Sequence, residues 1–229
     1  MAENIGAAAR AMLNFGFLNL RLVSPREDHL SDRALAMAAG AGKVLDQAKV
    51  FENLADACKD LNEVLATSAR ERYKYKDVMD PKTGCDTIVQ SCANGFKVGI
   101  LFGGERAGLS NEDLFLAKKL IRVPTNPVFS SLNLAQSVLL ISYQLNVCSI
   151  KQNKESSQTS VSVTKANYQE MQAFATRLEN ELDKNKFFYP EGKKKRMKTR
   201  LRKLIYGLEL SKEDVKIFHG VLKSLIKRK

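Results

Sequence analysis

The sequence predicts an α/β protein built on a parallel sheet, extended at its carboxyl end by a small helical appendage. Three observations lead there. Up to about residue 150, short apolar runs of strand length alternate with segments whose apolar residues recur every three or four positions. Residues 151–163 are then polar and serine-rich, which reads as a linker. Beyond them only helical periodicity continues, and it carries most of the charge: residues 160–229 hold 18 Lys and Arg against 8 Asp and Glu, within a net +12 for the 229 residues.

Ile5, Ala8, Ala9, Met12 and Leu13 fall on one face of a first helix that Gly16 ends, with Arg10 off that face beside the small residues Gly6 and Ala7. Small neighbours leave room for a ligand or a backbone to approach the guanidinium. Leu20-Arg21-Leu22-Val23 reads as a strand stopped by Ser24-Pro25. Arg33 to Ala41 follows as helix, Glu63 to Ala66 as strand, a short helix lies near Thr87 to Ala93, and Phe96 to Phe102 is the next strand. Leu120 to Val123 gives one more strand, and Leu132 to about Val147 a long helix, apolar on most sides. In such a sheet ligands bind beyond the carboxyl ends of the strands. In the appendage Tyr168, Met171, Ala175, Leu178 and Leu182 mark an amphipathic helix, a very basic helix follows Pro190, and Ser211 with Asp214 opens a third.

Composition narrows the function classes. No apolar run reaches membrane-span length and the start lacks a secretory pattern, so a cytoplasmic protein is expected. Cys58, Cys85, Cys92 and Cys148 form no Cys-x-x-Cys pair and only His29 and His219 accompany them, so no metal site is expected and the thiols read as small hydrophobes. A basic appendage on a near-neutral core fits a polyanion, and Lys193-Lys194-Lys195-Arg196-Met197-Lys198-Thr199-Arg200 is its densest run, with Lys193, Lys194, Lys195, Arg196 and Arg200 the candidate RNA contacts. The alternative is a solvated helix face.

Three segments carry chemistry. They are Asn4-Ile5-Gly6-Ala7-Ala8-Ala9-Arg10-Ala11, then Phe102-Gly103-Gly104-Glu105-Arg106-Ala107-Gly108-Leu109, then Asn126-Pro127-Val128-Phe129-Ser130-Ser131-Leu132-Asn133-Leu134-Ala135. The second, taken alone, is a strand-to-helix turn needing positive φ, before a helix capped by Ser110; it is neither a Gly-Lys-Ser/Thr phosphate loop nor a Gly-x-Gly-x-x-Gly fingerprint. The two serines of the third would cap the long helix, whose free amides are also good ligand donors.

Together these segments resemble the SPOUT class of S-adenosylmethionine-dependent RNA methyltransferases, most closely the TrmH/SpoU family of ribose 2'-O-methyltransferases in its TrmJ-like branch, over nearly the whole chain. The resemblance implies a trefoil knot at the carboxyl end of a SPOUT-like domain over residues 1–150, S-adenosylmethionine bound in it, and a homodimer whose interface completes the active sites. It points to Thr67, Ser68, Ala69 (in the turn Thr67-Ser68-Ala69-Arg70), Gly103, Val123, Ser130, Ser131 and Leu132 as cofactor contacts, and to Arg10, Asn4, Glu105, Ser131 and Asn133 as the catalytic set. Arg10 matches the arginine of the family's Asn-x-Gly-x-x-x-Arg-Ala motif. A guanidinium is a poor base, so either it grips the substrate phosphate while phosphate or water relays the proton, or it loses its own proton in a desolvated site; the first keeps its charge state. The branch implies as substrate the ribose of the nucleotide that opens the tRNA anticodon loop. Alternatives are a sibling acting on rRNA and an inactive RNA-binding module, the latter disfavoured by the presence of Arg10, Glu105 and Asn133. Relatives carry a strand before the asparagine motif where this chain has only Met1-Ala2-Glu3, so a missing first strand, with either an exposed sheet edge or a late start of the chain, is expected.

Overall fold

The computed structural model describes residues 1–69, 77–105, 107–155 and 165–226. Its first helix, α1 (Ala2–Asn14), is alanine-rich, and Gly16 at φ +79° turns the chain out of it, as the sequence predicts. The strand β1 (Arg21–Val23) follows, then α2 (Asp32–Ala38), α3 (Gly42–Asp46), β2 (Lys49–Phe51) and α4 (Leu54–Cys58), the last capped by the Asn53 side chain. Gly6 is required by the crossing of α1 over α2: a Cβ there would lie 2.0 Å from the Ala34 carbonyl oxygen. The room at Gly6 is therefore filled by α2, not kept for a ligand at Arg10.

Next come β3 (Glu63–Thr67), β4 (Val78–Met79), α5 (Pro81–Ala93), β5 (Val98–Leu101), α6 (Asn111–Leu116), β6 (Lys119–Ile121) and α7 (Leu134–Glu155). The helix expected near Thr87 begins six residues earlier, because Asp80 accepts from the amides of Lys82 and Thr83 and Pro81 stands at the first position. Ser110 caps α6 in a capping box with Asp113.

The strands do not make one sheet. β1 and β2 pair only with each other, while β4, β6, β3 and β5 form a second parallel sheet in that order. Arg21 of β1 instead reaches the end of α4, donating to the Ala57 carbonyl at 2.5 Å and to both carboxylate oxygens of Asp60 at 2.6 and 2.9 Å. The central strand β3 is buried along its length, as a strand covered on both faces must be. Its core, with Leu65, Ile121, Ile141, Leu145, Cys85 and Cys148, is closed by α5 and α7. Cys58 and Cys85 are buried and burial pushes their thiols up, to about 11 and about 12, so both serve as protonated apolar groups.

The helix α7 runs through the expected linker boundary to Glu155, and the rest of that linker, residues 156–163, lies outside the described residues, as does residue 164. Beyond it α8 (Tyr168–Lys184), α9 (Lys194–Gly207) and α10 (Lys212–Ile226) pack around Phe174, Met171, Ala175, Ile205 and Val215. Asn167 with Glu170, and Ser211 with Asp214, start α8 and α10 with reciprocal side-chain and backbone bonds. This unit docks on the end of β3: Tyr168 N–H donates to Leu61 O at 2.9 Å and Asn62 Nδ2 to Lys165 O at 2.9 Å. In the seam Glu63, buried, accepts from Ser91 Oγ at 2.7 Å and from Lys165, with Lys118 at 3.6 Å and Glu209 completing the cluster. Burial raises the Glu63 carboxyl, but the bonds from Lys165 and Ser91 outweigh it and hold the group below its ordinary value. Burial and the neighbouring Lys165 lower Lys118 to about 8.

Candidate active site

The strands β6, β3 and β5 end flush, with Thr67 paired to Ile121 and Ala66 to Leu101. Thr67-Ser68-Ala69, Phe102-Gly103 and Arg122-Val123 therefore leave the sheet side by side. Cross-strand bonds hold the exits together: Thr67 Oγ1 donates to Leu101 O at 3.1 Å and Ser68 N–H to Ile121 O at 3.2 Å. Val123 is half-buried against the core beneath α5 and α7. Arg70 and Arg106 lie outside the described residues.

Glycine is required at Gly103 by close approach, not by φ. A Cβ there would meet the Gly108 carbonyl carbon at 2.4 Å, because the loop folds back and Gly108 N–H donates to Gly104 O at 2.8 Å. The positive φ expected of this turn falls at Gly108, +67°. Glu105, exposed, has the Met1 amine 3.9 Å away.

Motifs one and three meet through two amides far apart in sequence. Asn133 Nδ2 donates to Oδ1 of the buried Asn4 at 3.1 Å, and Asn133 Oδ1 accepts from Ala135 N–H at 2.9 Å and Gln136 N–H at 3.3 Å. Asn133, not either serine, therefore caps α7, and Asn4 holds the cap in place. Beside this pair Ala8 and Ala11 of α1 pack on Ala135 and Val138 of α7, with Phe102 from the second motif against them. All three sequence segments converge on one corner at the carboxyl edge of the sheet.

The serines stand just ahead of that cap, with Thr125 Oγ1 bonded to Ser130 O at 3.3 Å to close the loop between β6 and α7. Among the described residues the backbone N–H groups of Ser130, Ser131 and Leu132 donate to no protein acceptor. Three consecutive free donors beside a glycine-walled strand exit suit a small ligand rich in acceptors, such as the adenosine and carboxylate of S-adenosylmethionine. Arg10 is exposed on α1, with no hydrogen bond or ion pair among the described residues, to these groups or any other. Val128 and Phe129, to which the sequence assigns no role, project from the same loop, 94% and 78% exposed. Asn126-Pro127 was the available signal for that turn: Asn126 Oδ1 accepts from Val128 N–H at 3.0 Å. Among the described residues no group of three His, Cys, Asp or Glu gathers as a metal site, and no helix is long and apolar enough to cross a membrane.

In the appendage the basic run sorts into two sets. Lys194 pairs with Asp183 at 2.9 Å and Glu191 at 3.2 Å, Lys198 with Asp183 at 2.8 Å, and Arg202 with Glu179 at 2.6 Å. Lys193, Lys195, Arg196 and Arg200 are exposed and carry no ion pair among the described residues. Lys194 thus faces inward to α8, apart from the other four candidate RNA contacts.

A parallel α/β domain with its loops and a helix start gathered at the strand ends, joined to a basic helical unit, has the build of a nucleic-acid-modifying enzyme. The model of the SpoU rRNA methylase family matches residues 1–143, and the chain belongs to that family. Crystalline TrmJ from Z. mobilis ZM4 is 41% identical, covers 98% of this chain and 94% of its own, and superposes with a TM-score of 0.85. The tRNA (cytidine/uridine/adenosine-2'-O-)-methyltransferase TrmJ of Pseudomonas aeruginosa is 34% identical over 226 residues, 96% of this chain and 87% of that protein. The SpoU methyltransferase AviRb from Streptomyces viridochromogenes, solved in complex with the cofactor AdoMet, shares the fold at 20% identity, with a TM-score of 0.52 over 66% of this chain and 57% of that one.

Proposed function

We propose that this protein methylates the 2'-hydroxyl of a tRNA ribose, at the nucleotide that opens the anticodon loop. It is an S-adenosylmethionine-dependent RNA methyltransferase by family, and the tRNA substrate is supported by TrmJ relatives that match almost end to end. The observation that carries the site is the Asn4–Asn133 bond, which joins the first and third motifs beside the glycine exit of β5.

Thr67, Ser68, Ala69, Gly103, Val123, Ser130, Ser131 and Leu132 would hold the cofactor, mainly by backbone groups. Bound there, S-adenosylmethionine supplies an electrophilic methyl group. Arg10 clamps a substrate phosphate with its planar fork and so aligns the adjacent ribose, while that phosphate or a water carries away the hydroxyl proton. Asn4 and Asn133 fix the start of α7, and Glu105 and Ser131 border the reacting ribose. The isolation of Arg10 in its own chain favours a homodimer in which it completes the partner's site. The exposed apolar residues Leu139, Leu140 and Tyr143 of α7 offer the surface for that contact. In this reading residues 1–150 are the catalytic domain, with the family's trefoil knot at its carboxyl end, residues 151–163 are a linker, and residues 164–229 are the RNA-binding appendage of a cytoplasmic enzyme.

Single-turnover transfer from labelled S-adenosylmethionine tests the roles. Arg10→Ala is expected to slow methyl transfer at least about a hundredfold while cofactor affinity stays within a few fold. Turnover near that of the parent would remove Arg10 from the mechanism.

A further inference from the structure

Phe187-Phe188-Tyr189 joins α8 to α9, and the fold uses these three aromatics differently. Phe188 is buried at 4% exposure, with Lys198 Nζ 5.3 Å from its ring centre. Phe187 and Tyr189 point out, 56% and 81% exposed. The turn that displays them is well anchored: Phe187 N–H donates to Leu182 O at 3.0 Å, Asn185 Nδ2 to Glu181 O at 2.8 Å, and Lys193 N–H to Pro190 O at 2.8 Å. The rings of Phe187 and Phe188 meet edge to face at 5.3 Å, which braces the outer ring on the buried one.

Charge around this turn is arranged in a particular way. The acids nearest it, Asp183 and Glu191, are both taken by Lys194, and Asp183 also by Lys198. Lys193, Lys195 and Arg196, exposed within seven residues of Tyr189, remain without an ion pair among the described residues. Free cations beside a displayed ring on a rigid turn match the two chemistries of an unpaired nucleotide, a phosphate and an aromatic face.

We infer that Tyr189, supported by Phe187, is a stacking platform for an unpaired RNA base, with Lys193, Lys195 and Arg196 holding the flanking phosphates. This rests on the reading of the protein as a tRNA methyltransferase and adds to it a preference of the appendage for single-stranded or looped RNA over duplex. Stacking contributes to affinity without releasing counterions, so its loss and the loss of a lysine leave different signatures.

The test is equilibrium binding of the full chain to an in vitro transcribed tRNA and to a fully paired RNA duplex of equal length, over a range of salt. Tyr189→Ala is expected to weaken tRNA binding by between about five- and about a hundredfold without changing the salt slope, and to leave duplex binding unaltered. Tyr189→Phe restores parental affinity, whereas Tyr189→Leu, equally apolar but without a ring face, does not. Parental affinity in Tyr189→Ala, equal rescue by leucine, or an equal loss on duplex overturns the inference, a protein contact for the ring being then the better reading. A parent protein that binds neither RNA overturns both the inference and the functional reading beneath it.

Discussion

Replacing Asn133 by alanine removes two things at once. The first is the cap of α7, where the Asn133 side chain receives the Ala135 and Gln136 amides; such caps contribute about 0.5–2 kcal/mol. The second is the bond to Asn4, a neutral pair whose net value is about 0.5–1.5 kcal/mol. Together Asn133→Ala should lose roughly 1–3.5 kcal/mol, which in a chain of this length lowers Tm by roughly 2–14 °C. Asn4→Ala loses only the second contribution, because the Asn133 amide, being exposed, finds water in its place. Urea unfolding of the parent, both single variants and the double variant gives the coupling between them, expected at about 0.5–1.5 kcal/mol. Both single variants should also weaken S-adenosylmethionine binding, since the free amides of Ser130 to Leu132 are placed by this cap. Additive unfolding energies, with a coupling below about 0.3 kcal/mol, would refute the claim that these two amides join the motifs.

Three further outcomes follow from the packing and the charges. Gly6→Ala puts a methyl group 2.0 Å from the Ala34 carbonyl oxygen, so α1 and α2 must separate; calorimetry should show a loss of about 1–3 kcal/mol, and an unchanged Tm would contradict the close crossing. Lys118 titrates near 8 when folded and near its ordinary 10.5 when unfolded, so between those pH values the unfolded chain binds more protons and the contribution of Lys118 to stability rises with pH. The parent should therefore gain on Lys118→Gln as the pH rises from 8 to 10.5, a difference in which the opposing Cys58 and Cys85 thiols cancel; a pH-independent difference would show that Lys118 is not suppressed. Replacing Lys193, Lys195 and Arg196 with alanine should flatten the salt dependence of RNA binding by up to about three units, and adding Lys194→Ala should change it little, because Lys194 is held by Asp183 and Glu191. An unchanged slope in the triple variant would make this face merely solvated.

What the sequence disclosed depended on whether the signal was local. The helices of the appendage announce themselves through apolar spacing and through Ser211 with Asp214, whose bonds are as the residue types require. The strands at Arg21, Glu63, Val98 and Lys119 were visible as apolar runs. Lys49–Phe51 and Val78–Met79 were not, being two or three residues long and partly exposed, with no alternation to read. The start of α5 is hard to read because apolar spacing begins only at Ile88, and its signal is the Asp80-Pro81 cap instead. In the site, the three motifs were recognisable by resemblance, but their meeting was not: Asn4 and Asn133 are 129 positions apart, and no local pattern ties them. Nor does sequence distinguish a lysine facing Asp183 from one facing solvent, since Lys194 and Lys195 are neighbours with opposite roles.

The central claim, methyl transfer to a tRNA ribose, is tested most directly by nucleoside mass spectrometry. Unmodified tRNA is incubated with the purified protein and S-adenosylmethionine, digested, and the nucleosides are separated, with Arg10→Ala treated alongside. The account predicts a 2'-O-methylated nucleoside from the position that opens the anticodon loop with the parent and almost none with the variant. Methyl groups on the bases, or none at all from a protein that binds both S-adenosylmethionine and tRNA, would contradict it.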